Sequence, residues 1–148
     1  MKNLRELYQQ VILDHNKNPR NYGTIDEADC CARGNNPLCG DSLDVYLKIV
    51  DGIIEDVKFV GEGCAIFKSS ASMMTEALKG KTEKEAEELF SLFHETLVDE
   101  SNQNIDELGK LAVLTGVKDY PVRVKCATLP WHTFNAALKS IDGDVSTE

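Results

Sequence analysis

With 148 residues, 42% of them hydrophobic and 28% charged, the chain is long enough to bury a core without disulfide staples and too apolar to be disordered. Its 25 acidic against 16 basic side chains give a formal net charge of −9. That balance argues against nucleic acid and against an anionic membrane surface as partners, because both need a basic face; solubility or docking on a basic protein surface remains.

Segment lengths exclude further classes. No apolar run is long enough to span a bilayer. The amphipathic N-terminal stretch MKNLRELYQQVILDHNKNPRN lacks the continuous apolar core and small-residue cleavage site of a secretion signal. The expected location is the cytoplasm, where five cysteines serve as thiols or metal ligands rather than as cross-links.

Leu4, Leu7, Tyr8, Val11 and Ile12 recur at helical spacing, which predicts a helix over residues 3–15. His15 closes it, where a cation would interact well with the helix dipole, and NKNPRN ends it. A weak strand around Ile25 to Ala32 follows. On it Cys30 and Cys31 would point to opposite faces and so not share a metal. Residues 35–41, NNPLCGD, then place Cys39 among turn formers, an unusual setting for a residue that is ordinarily buried.

The clearest pattern is a hairpin. Leu43, Val45, Leu47 and Ile49 alternate on one face, Asp51-Gly52 turns the chain, and Ile53, Glu55, Val57 and Phe59 alternate on the return. CAIFKSSASMMTEALKG predicts a helix stopped by Gly80, with Met73 and Met74 in the core. Thr82 with Glu85 is a capping box for a helix to about Val98, whose residues Glu83 to Glu88 form a solvated face. DESNQN reads as a loop, and Asn104 with Glu107 starts a short helix ending near Gly116. Pro121 suits the first turn of a last helix carrying Cys126 and Trp131, and Pro130 predicts a bend between Cys126 and itself. His94 and His132 read as surface or packing residues. With no repeat, low-complexity tract or linker, residues 1–148 are expected to form one α+β domain, helices packed on one face of a small antiparallel sheet.

The hairpin has a chemical consequence. An up-and-back pair returns the chain to its starting end, so the loops at 39–41 and 61–64 should be neighbours. That brings together Cys39, Asp41 and Cys64, the last at a helix N-terminus that favours a thiolate. Cys126 lies 62 positions further on, and its place is not set by spacing; Arg123 and Lys125 beside it would lower a thiol pKa and offset negative charge. Three thiolates and a carboxylate make a tetrahedral donor set for zinc, although the spacing matches no zinc-finger pattern. Each cysteine also has a plain structural reading, as a turn or packing residue.

Four motifs, DHNKNPRN, NNPLCGD, GEGCAIFKSSASMM and RVKCATLPW, occur in this order, and through them nearly the whole chain resembles the U-type iron–sulfur cluster assembly family, which includes IscU-like and NifU N-terminal-like proteins. Within it, Lys125 in place of a histidine and the extra sequence at 95–120 resemble the SufU branch. The resemblance implies a three-stranded antiparallel sheet with helices packed against it. It implies that Cys39, Asp41, Cys64 and Cys126 converge and bind zinc, with Arg123 and Lys125 close by. It further implies a cysteine desulfurase as partner, Cys39 as the thiol that accepts persulfide sulfur, and downstream cluster-assembly proteins as recipients. Two alternatives stand beside this: a scaffold carrying a transient iron–sulfur cluster on the same residues, and a structural zinc domain used for docking.

Overall fold

A computed structural model describes residues 4–37, 40–98, 104–117, 120–139 and 145–146. The hairpin forms as its sequence dictates. Asp51 and Gly52 take φ of 53° and 76°, the double left-handed turn whose twist matches two antiparallel strands, β2 (Asp41–Val50) and β3 (Ile53–Glu62). Leu43, Val45 and Leu47 are buried on one face of β2. The return strand departs from the expected alternation: Ile54, Val57 and Phe59 are buried, whereas Ile53 and Glu55 are exposed. The cause is a bulge. Ile49 pairs with Ile54 and Lys48 with Asp56, so Glu55 is an extra residue that exchanges the two faces.

The first strand, β1 (Cys30–Asn36), overlaps the expected 25–32 only at its start and runs through Gly34, Asn35 and Asn36. It pairs antiparallel with β2, from Cys30 opposite Leu47 to Asn36 opposite Asp41. A two-residue strand, β4 (Val145–Ser146), adds parallel to β1 at Gly34 and Asn35, giving the order β3-β2-β1-β4. The three-stranded antiparallel sheet thus has a short fourth strand beyond what was expected.

Helices cover one face. The last, α4 (Pro121–Leu138), packs on β1 and β2; α2 (Ala65–Leu78) packs on β3 and on α4; α1 (Leu4–Lys17) packs on α2; α3 (Glu83–Val98) lies against α4 and a 3₁₀ segment, Asn104–Val117. Val45, Leu47, Phe59, Phe67, Met74, Leu129, Trp131 and Phe134 fill the interior, with Phe93 and Trp131 at a ring-centroid distance of 4.6 Å. The capping box is made in full: Glu85 N donates to Thr82 Oγ1 and Thr82 N to Glu85 Oε1, both at 3.1 Å. The short helix expected after Asn104 winds as 3₁₀ and breaks at Gly109, whose φ is 59°. Residues 99–103, most of the expected DESNQN loop, lie outside the described residues. Pro121 opens α4, which stays helical through Pro130. Among the described residues no helix is long and apolar enough to cross a membrane.

The DHNKNPRN motif is a corner that fastens α1 to α2 and β3. Arg20 N donates to Ser72 Oγ at 2.8 Å and Asn21 Nδ2 to Thr75 Oγ1 at 3.0 Å. Phe59 N and O bond Asn21 O and Gly23 N. His15, read as a helix-closing cation, is buried: it is 6% exposed, its Nδ1 lies 2.7 Å from Ser72 Oγ, and burial pushes its pKa below the ordinary value.

Candidate metal centre

Three of the four expected ligands meet at one end of the sheet. Asp41 is the first residue of β2, only 1% exposed. Cys64 is the N-cap of α2, one residue beyond the end of the GEG run that closes β3. Cys126 is fully buried on α4, six residues into that helix. One donor atom from each lies within 4.8 Å of the other two. The hairpin places Asp41 beside Cys64, since Ser42 pairs with Glu62; the packing of α4 on β1 and β2 brings in Cys126.

The polar contacts around the trio are directional. Cys64 N donates to Asp41 Oδ1 at 3.0 Å, and Cys64 Sγ accepts from Phe67 N at 3.5 Å. Asn36 Nδ2 points to Cys126 Sγ at 3.9 Å. Among the described residues, Asp41 Oδ2 is the buried side-chain polar atom left without a hydrogen-bond partner. A buried carboxylate oxygen with no donor is costly unless something else satisfies it. Two thiol sulfurs and a carboxylate oxygen of Asp41, all within 4.8 Å of one another, can hold a divalent cation whose ligands are S and O donors.

Cys39 lies outside the described residues. The described residues on either side of it, Pro37 and Gly40, are exposed, and Gly40 N donates to Asn36 O. Arg123 and Lys125 precede Cys126 on α4 by three and one positions; Arg123 is exposed and Lys125 partly buried. Cys30 and Cys31 sit at the opposite end of β1, half-buried and exposed respectively. Six residues of strand, ~20 Å, separate Cys30 from Asn36. The four described cysteines are unbridged.

Sequence reasoning missed Asn36 and Gly63. Asn36 was hidden because an Asn-Asn-Pro run signals a turn, yet it ends a strand fully buried. Gly63 carried a signal, the paired glycines before Cys64, but its reason is steric and visible only in three dimensions.

The family model described as NifU-like N terminal domain matches residues 7–127. The chain is 41% identical, over 141 residues and 95% of both chains, to a protein named zinc-dependent sulfurtransferase SufU from Bacillus subtilis (strain 168). It is 39% identical, over 94% of its own length and 87% of the relative's, to one named iron-sulfur cluster assembly scaffold protein IscU from Streptococcus pyogenes serotype M1. Among solved structures it superposes with TM-score 0.83 and 35% identity on a candidate iron-sulfur cluster assembly scaffold protein for the SUF system from Fervidobacterium islandicum AW-1, covering 92% of this chain and 99% of that one.

Proposed function

The chain belongs to the family of NifU-like N-terminal domains, and from that premise we propose that it accepts persulfide sulfur from a cysteine desulfurase in the cytoplasm and carries it toward iron–sulfur cluster assembly. The observation that carries this reading is the convergence of donor atoms of Asp41, Cys64 and Cys126, with one buried carboxylate oxygen of Asp41 left unpartnered. Cys39, two residues before Asp41 in the chain, is the proposed fourth donor and the reacting thiol. The donor set fits zinc, which when bound would keep the cysteines as thiolates and shield them from oxidation.

The residues divide the work. Cys126 on a buried helix and Cys64 at a helix N-cap are anchored donors. Cys39 lies in the sequence among turn formers, NNPLCGD, where a backbone adjusts more readily than on a helix, so it is the donor suited to react. Its thiolate attacks the outer sulfur of the desulfurase persulfide. A new S–S bond forms at Cys39 as the donor's S–S bond breaks, and the donor cysteine leaves as a thiolate. Arg123 and Lys125 are proposed to offset the negative charge of the site, and downstream cluster-assembly proteins to receive the sulfur.

The scaffold reading has its own support in the relative named IscU, nearly as similar as the one named SufU. One experiment separates them. The protein is purified anaerobically, its metal determined, and sulfur uptake measured with a cysteine desulfurase and cysteine. The sulfur-carrier reading expects one zinc per chain, persulfide on wild type and none on Cys39→Ser. A coloured cluster that passes to an acceptor would favour the scaffold; zinc with no sulfur uptake would leave a structural docking domain.

A further inference from the structure

We infer that the two carboxylate oxygens of Asp41 have separate duties set by Gly63: Oδ1 is tied to the main chain at Cys64, and Oδ2 alone is presented to a divalent cation. This rests on the metal reading above and deepens it. Asp41 is 1% exposed, so neither oxygen has water to fall back on. Oδ1 accepts the Cys64 N–H at 3.0 Å, while Oδ2 has no hydrogen-bond partner. The tied oxygen belongs to the same residue pair whose other atoms are donors, so the bond from Asp41 to the Cys64 main chain sets carboxylate and thiol as one unit.

Gly63 makes this arrangement possible by what it lacks. Its φ is outside the left-handed range that otherwise calls for glycine, so the backbone path would accept any residue. Space would not. A Cβ at position 63 would stand 2.3 Å from Asp41 Oδ1, 2.9 Å from Asp41 Cγ and 2.6 Å from Phe67 Cδ2. Phe67 is fully buried in the core and has no room to yield, which leaves the carboxylate as the group that must move. Moving it breaks the Oδ1 bond and displaces Oδ2 with it. Gly63 is therefore a positioning residue acting through Asp41. The consequence for coordination is a carboxylate that offers one oxygen, as a closed four-donor site requires.

Four full-length variants test this, each prepared metal-free and then titrated with Zn²⁺ against a chromophoric chelator. Asp41→Asn retains an oxygen for the Cys64 N–H but offers an amide nitrogen, not a carboxylate oxygen, to the cation. Asp41→Ala removes both. The expected result is a metal-free Asp41→Asn protein that unfolds within about two degrees of wild type, and a metal-free Asp41→Ala protein that unfolds several degrees lower. Both lose zinc affinity, as does Gly63→Ala, which keeps every donor residue, each by about tenfold or more. Gly63→Ala placed on Asp41→Asn adds little further loss of affinity, because the group it displaces is already silent.

Wild-type zinc affinity in Asp41→Asn would overturn the duty given to Oδ2. Equal loss of metal-free stability in Asp41→Asn and Asp41→Ala would overturn the duty given to Oδ1. The same loss of affinity from Gly63→Ala in both backgrounds would reduce that glycine to general packing. If Gly63→Ala folds only when combined with Asp41→Ala, in a fifth variant, the clash with the carboxylate is what the glycine avoids; if it folds in neither background, the glycine serves general packing and its duty toward Asp41 is overturned. Wild type that binds no zinc would instead remove the metal reading itself, a different failure from any of these.

Discussion

Trp131 on α4 donates its indole N–H to Ser70 Oγ on α2 at 3.2 Å, and Ser70 donates in turn to the Ala127 carbonyl. Both residues are fully buried. The hydroxyl is thus a two-way clasp between the helices that carry Cys64 and Cys126, with Ser70 six residues after Cys64 and Trp131 five residues after Cys126. Ser70→Ala would leave the buried Trp131 N–H without its acceptor. The expected cost is about 1–3 kcal/mol of unfolding free energy, the range for an orphaned buried donor. Denaturant unfolding of the metal-free protein measures it. Because the clasp also sets the distance between the two thiols, zinc affinity should fall with it. Full stability in Ser70→Ala would mean that apolar packing alone sets the α2–α4 distance.

A second close approach fixes α4 from the other side. A Cβ on Gly34 of β1 would stand 2.0 Å from Thr133 Oγ1 and 3.1 Å from Leu129 Cδ1. Thr133 is fully buried and its hydroxyl is committed to the Leu129 carbonyl at 2.8 Å. Gly34→Ala should therefore push α4 off the sheet and destabilise by about 1–3 kcal/mol, as overpacking of a filled interior does. Adding Thr133→Ala removes the obstructing oxygen and should recover part of the loss in a double-mutant cycle. If the two changes add without recovery, the clash is not what Gly34 avoids.

These two contacts also explain which parts of the molecule were legible in its sequence. The β2–β3 turn, the Thr82–Glu85 cap and the Pro121 helix start depend on residues within four positions of each other, and all three formed as read. The neighbourhood of Asp41 and Cys64 followed from the hairpin alone. Cys126 did not, because its position depends on α4 lying across β1 through Gly34 and against α2 through Ser70, contacts spanning 99 and 61 positions (133 − 34 and 131 − 70). Only resemblance to known sequences anticipated it. The first strand was misplaced for the same reason: Gly34, Asn35 and Asn36 are poor strand formers, held extended by β2 on one side and by α4 above. The bulge at Glu55 left no local mark at all, so Ile53 was assigned the wrong face.

His15 gives the last prediction, on pH. Its ring is pressed against Ser72 on α2, with Nε2 3.7 Å from Glu76 Oε1. Burial lowers its pKa and Arg20 lowers it further; Glu76 and Asp14 oppose them, and Lys110 adds a small push in the same direction as Arg20. In the unfolded chain the imidazole returns to about 6.5. Above that value the ring is neutral in both states and its contribution to stability is complete. As pH falls below it, the unfolded chain takes up the proton first, so stability declines until the lowered folded value is passed. The slope from one such group approaches 1.4 kcal/mol per pH unit at most. His132, also lowered by burial and by its neighbour His94, acts in the same sense. Chemical unfolding at several pH values between about 5 and 7 should show stability dropping toward the acid side, above the range where carboxylates titrate. His15→Gln, which cannot charge, should flatten the profile by up to one proton's worth and leave the part due to His132. A profile unchanged by that substitution would show that the buried imidazole is not the group taking up the proton.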